Sequence, residues 1–332
     1  MKLAEWNNIL GNVYEESGKL DQAEPFFVDC LAIRHRILGD EHPDTLTAAN
    51  NLAVLHKAQG RYDLAEPLYA EGLSISRREF GNEHSNTLVS INNLANLYVL
   101  QGRYEEAEPL FSESLEISHR VLGNEHSFTL TSVNNKAELY VLQGRHDEAE
   151  PLYAESLAIS RRVLGPDHPS TLVSVNNLAA LYESDGRYEE AEPLFIDCLD
   201  ARRRVLGPEH PHTLSSMNNL ASLCRKMEQY ERSVELYEEC IRIKRRVLGN
   251  NHPDLFFSLN GLANTFAKQG RHEEAEKLFT ECLDKRRRIL GNQHPKTQES
   301  MKDFADSSEA VGQIERVQSL RGELLSLSSK TS

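Results

Sequence analysis

The chain has 332 residues, with 37 Lys+Arg against 51 Asp+Glu for a net charge of −14, and 39% of its residues are apolar. That acidic balance argues against a nucleic-acid backbone or an anionic membrane as the main partner. No apolar run reaches the length of a membrane span, and the opening MKLAEWNN lacks the apolar core of a signal peptide, so no membrane insertion is expected. The five cysteines show no CxxC or zinc-finger spacing, and four of them, Cys30, Cys198, Cys240 and Cys282, share one position that Gly72, Ser114 and Ser156 fill elsewhere. That position wants a small side chain, and a reduced, cytoplasmic protein is the expectation.

Seven histidines, His42, His84, His126, His168, His210, His252 and His294, stand 42 residues apart without an insertion. A period that strict marks one structural unit copied end to end. Residues 85–126 show the unit. Leu88, Ile91, Leu94, Ala95, Leu97 and Tyr98 recur at three- and four-residue spacing, the apolar stripe of an amphipathic helix that Gly102 closes. A second helix is expected from near Tyr104 to Leu122, burying Ala107, Leu110, Phe111, Leu115 and Val121. Pro109 lies inside it, at the cost of one backbone hydrogen bond and a slight bend. Glu105, Glu106 and Glu108 crowd its positive end. Basic runs such as Arg202-Arg203-Arg204, Lys244-Arg245-Arg246 and Lys285-Arg286-Arg287-Arg288 gather at the negative end of sister helices and read mostly as solvated charge.

Taken in order, the copies span 1–42, 43–84, 85–126, 127–168, 169–210, 211–252 and 253–294. A degenerate copy over 295–325 is expected to cap the array, and 326–332, SLSSKTS, reads as a disordered tail. Met1 falls at the start of a first helix with no cap before it, which suggests a chain cut from a longer protein. A lone helix pair cannot bury its stripe, whereas stacked pairs share one core.

Ile91, Leu94, Ala95 and Tyr98, followed by Ala107 and Phe111, resemble the tetratricopeptide-repeat signature, and Val175, Leu178, Ala179, Tyr182, Ala191 and Phe195 repeat the match. The longer period, with NNLA in the first helix and an LGxxHPxTL linker, resembles the repeats of kinesin light chain and of nephrocystin-3-like proteins. The resemblance implies an all-α fold: a right-handed superhelical solenoid of stacked antiparallel helix pairs, with the first helices lining the concave surface.

The histidines are better read as structure than as metal ligands. Each repeat supplies one, and five of the seven precede Pro at a helix start. No phosphate loop, HExxH, GxSxG or Cys–His nucleophile pattern occurs, and no inserted loop breaks the frame, so neither an enzyme nor a cofactor is expected. Mid-helix Asn pairs at 50–51, 92–93, 134–135, 176–177 and 218–219 need a reason, because Asn is a poor helix former. One reason is contact with the backbone of an extended peptide, and another is hydrogen bonding between adjacent repeats. The second Asn is expected to be the structural member and the first to be available for binding.

The implied groove gathers Asn50, Asn92, Asn134, Asn176, Asn218, Asn260, Asn96 and Asn264 as polar contacts, Val99, Leu100, Val141 and Leu142 as apolar seats, and Arg225, Lys226 and Lys268 as a basic patch. The expected function is a scaffold that grips a protein or peptide ligand, an acidic linear motif, as in a kinesin light chain-like cargo adaptor. The alternative is the sensor array of a larger nucleotide-switch signalling protein. The sixth repeat departs from its sisters at Cys224, where they place an aromatic, at Glu228 in place of the turn Gly, and at Ser233 in place of Ala, which marks it as the expected weak link.

Overall fold

The computed structural model describes residues 1–328, and every regular element among them is an α-helix. The sixteen helices are α1 (Lys2–Glu16), α2 (Leu20–Leu38), α3 (Pro43–Ala58), α4 (Tyr62–Phe80), α5 (Ser85–Leu100), α6 (Tyr104–Leu122), α7 (Ser127–Leu142), α8 (His146–Leu164), α9 (Pro169–Ser184), α10 (Tyr188–Leu206), α11 (Pro211–Lys226), α12 (Tyr230–Leu248), α13 (Pro253–Lys268), α14 (His272–Leu290), α15 (Pro295–Ala310) and α16 (Ile314–Ser328). Odd-numbered helices are the first of each pair and even-numbered the second. The chain is a solenoid of helix pairs, and its contacts divide it into two compact units, residues 1–187 and from Tyr188 onward.

The periodic histidines are helix caps. In all seven copies the imidazole Nδ1 accepts from the backbone N–H two residues on, as in His42 with Asp44 at 3.1 Å and His210 with His212 at 3.2 Å. This satisfies one of the four N–H groups that a helix start leaves without an intrahelical partner. The second helices α2 to α14 each end on a glycine such as Gly81 at φ +85°, a conformation a side chain would strain. Pro109 sits inside α6, which continues through it. Val121, expected in the core, is exposed on the last turn of that helix. At the other end α16 runs to Ser328, so the segment expected as a tail opens as helix, and 329–332 lie outside the described residues.

Within each unit neighbouring first helices touch, α5 with α7, α7 with α9, α11 with α13, and α13 with α15. Successive second helices stand farther apart and meet through long side chains, as in Arg77–Glu113 at 2.7 Å and Arg245–Glu281 at 3.0 Å. The first helices therefore form the inner face of each unit and the second helices the outer. In the first unit, small residues such as Ala53, Ala65, Ala95 and Ala107 are fully buried and let helices approach, while Tyr69, Phe111 and Leu97 fill the space between them.

The basic runs are not simply solvated charge. Arg34, Arg202, Lys244 and Arg286 are buried, and each donates to a backbone carbonyl of the next repeat: Asp44, His212, Asp254 and Lys296. The neighbouring arginines tie repeats together from outside, Arg203 to Glu239 and Arg78 to Glu41. A side chain that leaves water in this way must find partners, and a carbonyl with a second acceptor supplies them.

The sixth repeat compensates for its departures. In the third, fourth and fifth repeats an arginine stacks on the aromatic of its own repeat and pairs with a glutamate of the preceding one: Arg103 lies 4.1 Å from the Tyr98 ring and 2.7 Å from Glu66, and Arg145 and Arg187 repeat both contacts. In the sixth repeat Cys224 and Gln229 replace both members of the stack, and Arg232, one turn on, takes Glu192 instead. Ser233 is no packing defect. Its Oγ donates to the Ala221 carbonyl at 2.8 Å and lies 3.1 Å from Thr265 Oγ1. Glu228 does carry strain, with φ +60°, the one non-glycine among the described residues in that region.

These contacts set opposite signs for two repairs toward the consensus. Glu228→Gly is expected to stabilise the sixth repeat by about 1 kcal/mol through relief of the left-handed backbone. Ser233→Ala is expected to destabilise it by roughly 1 kcal/mol, because a buried hydroxyl network loses its centre. Thermal denaturation of each variant, with amide exchange over 211–252, measures both, and a stabilising Ser233→Ala would show that the network contributes nothing.

Candidate peptide-binding face

Carboxamides on the inner face meet each other from repeat to repeat. Asn51 Nδ2 donates to Asn8 Oδ1 at 2.9 Å, and Asn93 Nδ2 donates to Asn50 Oδ1 at 2.7 Å, so the second Asn of one repeat ties to the first-Asn position of the repeat before. In the second unit Asp303 stands where the second Asn would be, and accepts from Asn260 and, at 3.1 Å, from Asn264. The second Asn thus makes the tie between repeats, as expected, but in two pairs the first Asn is the more buried, while both members are half-buried at 50–51, 134–135 and 176–177. Asn92, Asn218 and Asn260 are buried, while their followers Asn93 and Asn219 are half-buried. An i to i+3 and i+4 stripe explains this, since the first Asn lies nearer the next repeat.

In the first unit Asn50, Asn134, Asn176, Asn96, Val99 and Val141 are half-buried, whereas Leu100 and Leu142 expose about half their surface, 50% and 47%. Both polar atoms of Asn92 and the Oδ1 of Asn134 are buried without a hydrogen-bond partner, so this unmet capacity lies beneath the face and not on it. Glu138 opens to solvent yet is walled by protein, and desolvation raises its carboxyl above the usual range. The same cause raises Glu15, with Glu16 adding to the effect.

The second unit holds a cleft of about 360 Å³ whose lining includes Leu214, Asn218, Asn219, Lys244, Asp254 and Phe257. Lys244 Nζ donates to the Asp254 carbonyl at 2.8 Å and to Ser258 Oγ at 3.1 Å, and Ser258 Oγ donates to Asn218 Oδ1 at 2.8 Å. That relay turns the Asn218 oxygen inward. Burial lowers the Lys244 ammonium from its ordinary value. Phe257 presents an exposed aromatic at the same place. Arg225 is half-buried with its Nε unpartnered, and Lys226 and Lys268 are exposed. Seven residues separate Asn218 from Arg225 on α11, so they share a face but lie about 10 Å apart along it. The expected basic patch and the carboxamide cleft are thus neighbours and not one pocket.

Lys244 and Phe257 were not read from the sequence as site residues. A signal for the buried cations exists: Arg34, Arg202, Lys244 and Arg286 each follow a cysteine by four residues, whereas Ser76, Ser118 and Ser160 follow Gly72, Ser114 and Ser156. No group of three or more His, Cys, Asp or Glu residues suited to a metal ion occurs among the described residues. No helix among them is long and apolar enough to cross a membrane.

Seven overlapping stretches, from 2–78 through 254–320, match the tetratricopeptide-repeat family, and the chain belongs to it. Its repeats are of the kinesin light chain type. A structure from Podosopora anserina, a putative kinesin light chain with nearly identical TPR-like repeats, is 29% identical over 63% of this chain and 99% of that chain, with TM-score 0.52. A Rap protein complexed with competence and sporulation factor shares the fold at TM-score 0.65 and 15% identity, covering 98% of each chain. A signal-transduction ATPase from Pyrococcus horikoshii with a tetratricopeptide-repeat sensor shares it at TM-score 0.55 and 16% identity, over 97% of this chain and 47% of that one. No curated protein matches the sequence. The family fold is suited to protein–protein interaction.

Glu138 yields a pH signature. A carboxyl whose folded pKa is raised opposes folding at neutral pH, and that opposition fades as pH falls through its folded value. Glu138→Gln is therefore expected to raise the melting temperature at pH 7, with the gain shrinking toward pH 4. A gain that is constant across that range would assign the effect to packing instead of charge.

Proposed function

We propose that the protein is a scaffold whose inner face binds an extended, acidic segment of a partner protein. The observation that carries this reading is the cleft in the second unit, where Asn219 and Phe257 stand over the buried Asn218–Ser258–Lys244 relay, with Glu209 and Asp254 also in its lining. Carboxamides can both donate to and accept from a peptide backbone, and Phe257 offers an apolar seat beside them. Arg225, Lys226 and Lys268, further along α11 and α13, would attract the carboxylates. The bond from Asn264 to Asp303 is an internal example of carboxylate capture on this face. In the first unit, taken by itself, Leu100 and Leu142 would offer a more apolar surface beside Asn134. The kinesin light chain type of the repeats supports a cargo or adaptor role. Five cysteines that are all buried thiols suit a reducing, cytoplasmic setting.

A charge-bearing hydrogen bond at a partly desolvated site contributes about 1.5–3 kcal/mol, against roughly 0–1 for an exposed pair. Reversing Arg225 and Lys226 to Glu should weaken an acidic peptide more than tenfold while melting changes little. Reversal of Arg161 and Arg162, exposed at the far end of α8, should change affinity little. A peptide library selected on the wild-type chain and rescored on both variants measures this. Ligands without acidic bias, or equal binding by both variants, would remove the acidic-peptide reading.

A further inference from the structure

The apolar face of α1 departs from every other first helix in the array. Leu3, Trp6, Ile9, Leu10 and Val13 are all exposed, Trp6 by 63%. On an α-helix, residues 3, 6, 10 and 13 form one stripe and Ile9 flanks it. In later repeats the same stripe is covered: Leu55, Leu97 and Leu139, the counterparts of Val13, are wholly buried, as are Thr87 and Thr129, the counterparts of Leu3.

Two residues show that α1 is shaped for a different cover. The counterparts of Trp6 are Ala48, Ser90, Ser132, Ser174, Ser216, Ser258 and Ser300, small side chains that face the preceding helix pair. Ser132, for example, lies 3.2 Å from Ser114 on the second helix of the repeat before. An indole has no room in that geometry. Ile9 stands where Asn51 and Asn93 donate to the preceding repeat, so the polar tie that joins ordinary copies is absent from this face. Trp6 and Ile9 thus both depart from a standard preceding repeat in the standard register.

We infer that α1 is a self-docking surface, on which the α1 of a second copy packs antiparallel about a two-fold axis near Ile9. The charges select this partner and this direction. Lys2 and Glu16 lie at opposite ends of the helix, on the same flank of the stripe as Ile9. A two-fold axis perpendicular to antiparallel helices keeps each flank facing itself, so Lys2 of one copy meets Glu16 of the other at both ends. A parallel pairing would put the two flanks on opposite sides with Lys2 and Glu16 at different heights, so that they could not meet, and would align the two helix dipoles unfavourably. The contact is isologous, as closed dimers require, and Trp6 with its roughly 150–250 Å² of buriable surface is the natural anchor. This inference is independent of the peptide-binding reading, since no residue of α1 lines the cleft.

Trp6 is the one tryptophan of the chain, so its fluorescence reports this interface alone. Sedimentation equilibrium of the full chain should show a monomer–dimer equilibrium, with Trp6 emission shifting to the blue as the dimer fills. Trp6→Lys should weaken association by at least tenfold with unchanged helicity, as loss of a central aromatic anchor does. Lys2→Glu should weaken it, and Lys2→Glu combined with Glu16→Lys should restore it, which distinguishes antiparallel pairing from loss of a single charge. A chain that stays monomeric at several hundred micromolar (roughly tenfold above a weak Kd of tens of micromolar) would overturn the inference. So would a dimer whose Trp6 emission does not move, because the copies would then meet elsewhere.

Discussion

A helix pair of this length exposes two apolar flanks and can cover neither by itself. The apolar core is therefore made at junctions between repeats and between the two helices of a pair, and each repeat depends on its neighbours for it. The consequence is that a side chain must satisfy the repeat before it, the repeat after it, or both. Arg103 shows the two duties in one residue, stacked on Tyr98 of its own repeat and paired with Glu66 of the one before.

The junctions come in two chemical kinds. In the middle of the first unit serines face each other, as with Ser114 and Ser132 or Ser156 and Ser174, and the contact is a hydroxyl pair. In the second unit a cysteine faces a serine and a buried cation crosses to the next helix start, as with Cys240, Ser258 and Lys244. The cation meets a carbonyl and a hydroxyl, and Arg286 has Glu299 3.8 Å away as well, so desolvation is partly offset. That arrangement contributes to the position of the inner face, because Ser258 passes the orientation on to Asn218. A buried charge near the outer layer thus fixes which way a carboxamide turns on the inner one.

The inner face is consequently polar without being strongly charged. Its carboxamides are committed to neighbours at some junctions, Asn50 with Asn93 and Asn260 with Asp303, and unmet at another, Asn92. Charge along the face differs between units, with Glu15 and Glu138 in the first and Arg225 and Lys268 in the second.

The sequence by itself determined the helix pairs among the described residues and most of their ends, though α16 ran on into the segment read as a tail. The 42-residue frame, the apolar stripes and the His-Pro and Gly punctuation are local features, and Ser85–Leu100 and Tyr104–Leu122 formed where the pattern placed them. Only the tertiary structure decided which of three adjacent basic residues leaves water. Arg202, Arg203 and Arg204 look alike in sequence, but a rotation of 100° per residue points the first at the next repeat's carbonyl, the second at Glu239 and the third elsewhere. Which Asn of a pair is buried, and that Ser233 completes a network with Thr265 some thirty residues away, were settled the same way. In each case the deciding partner belongs to a different helix, and local spacing carries no information about which atoms that helix will present.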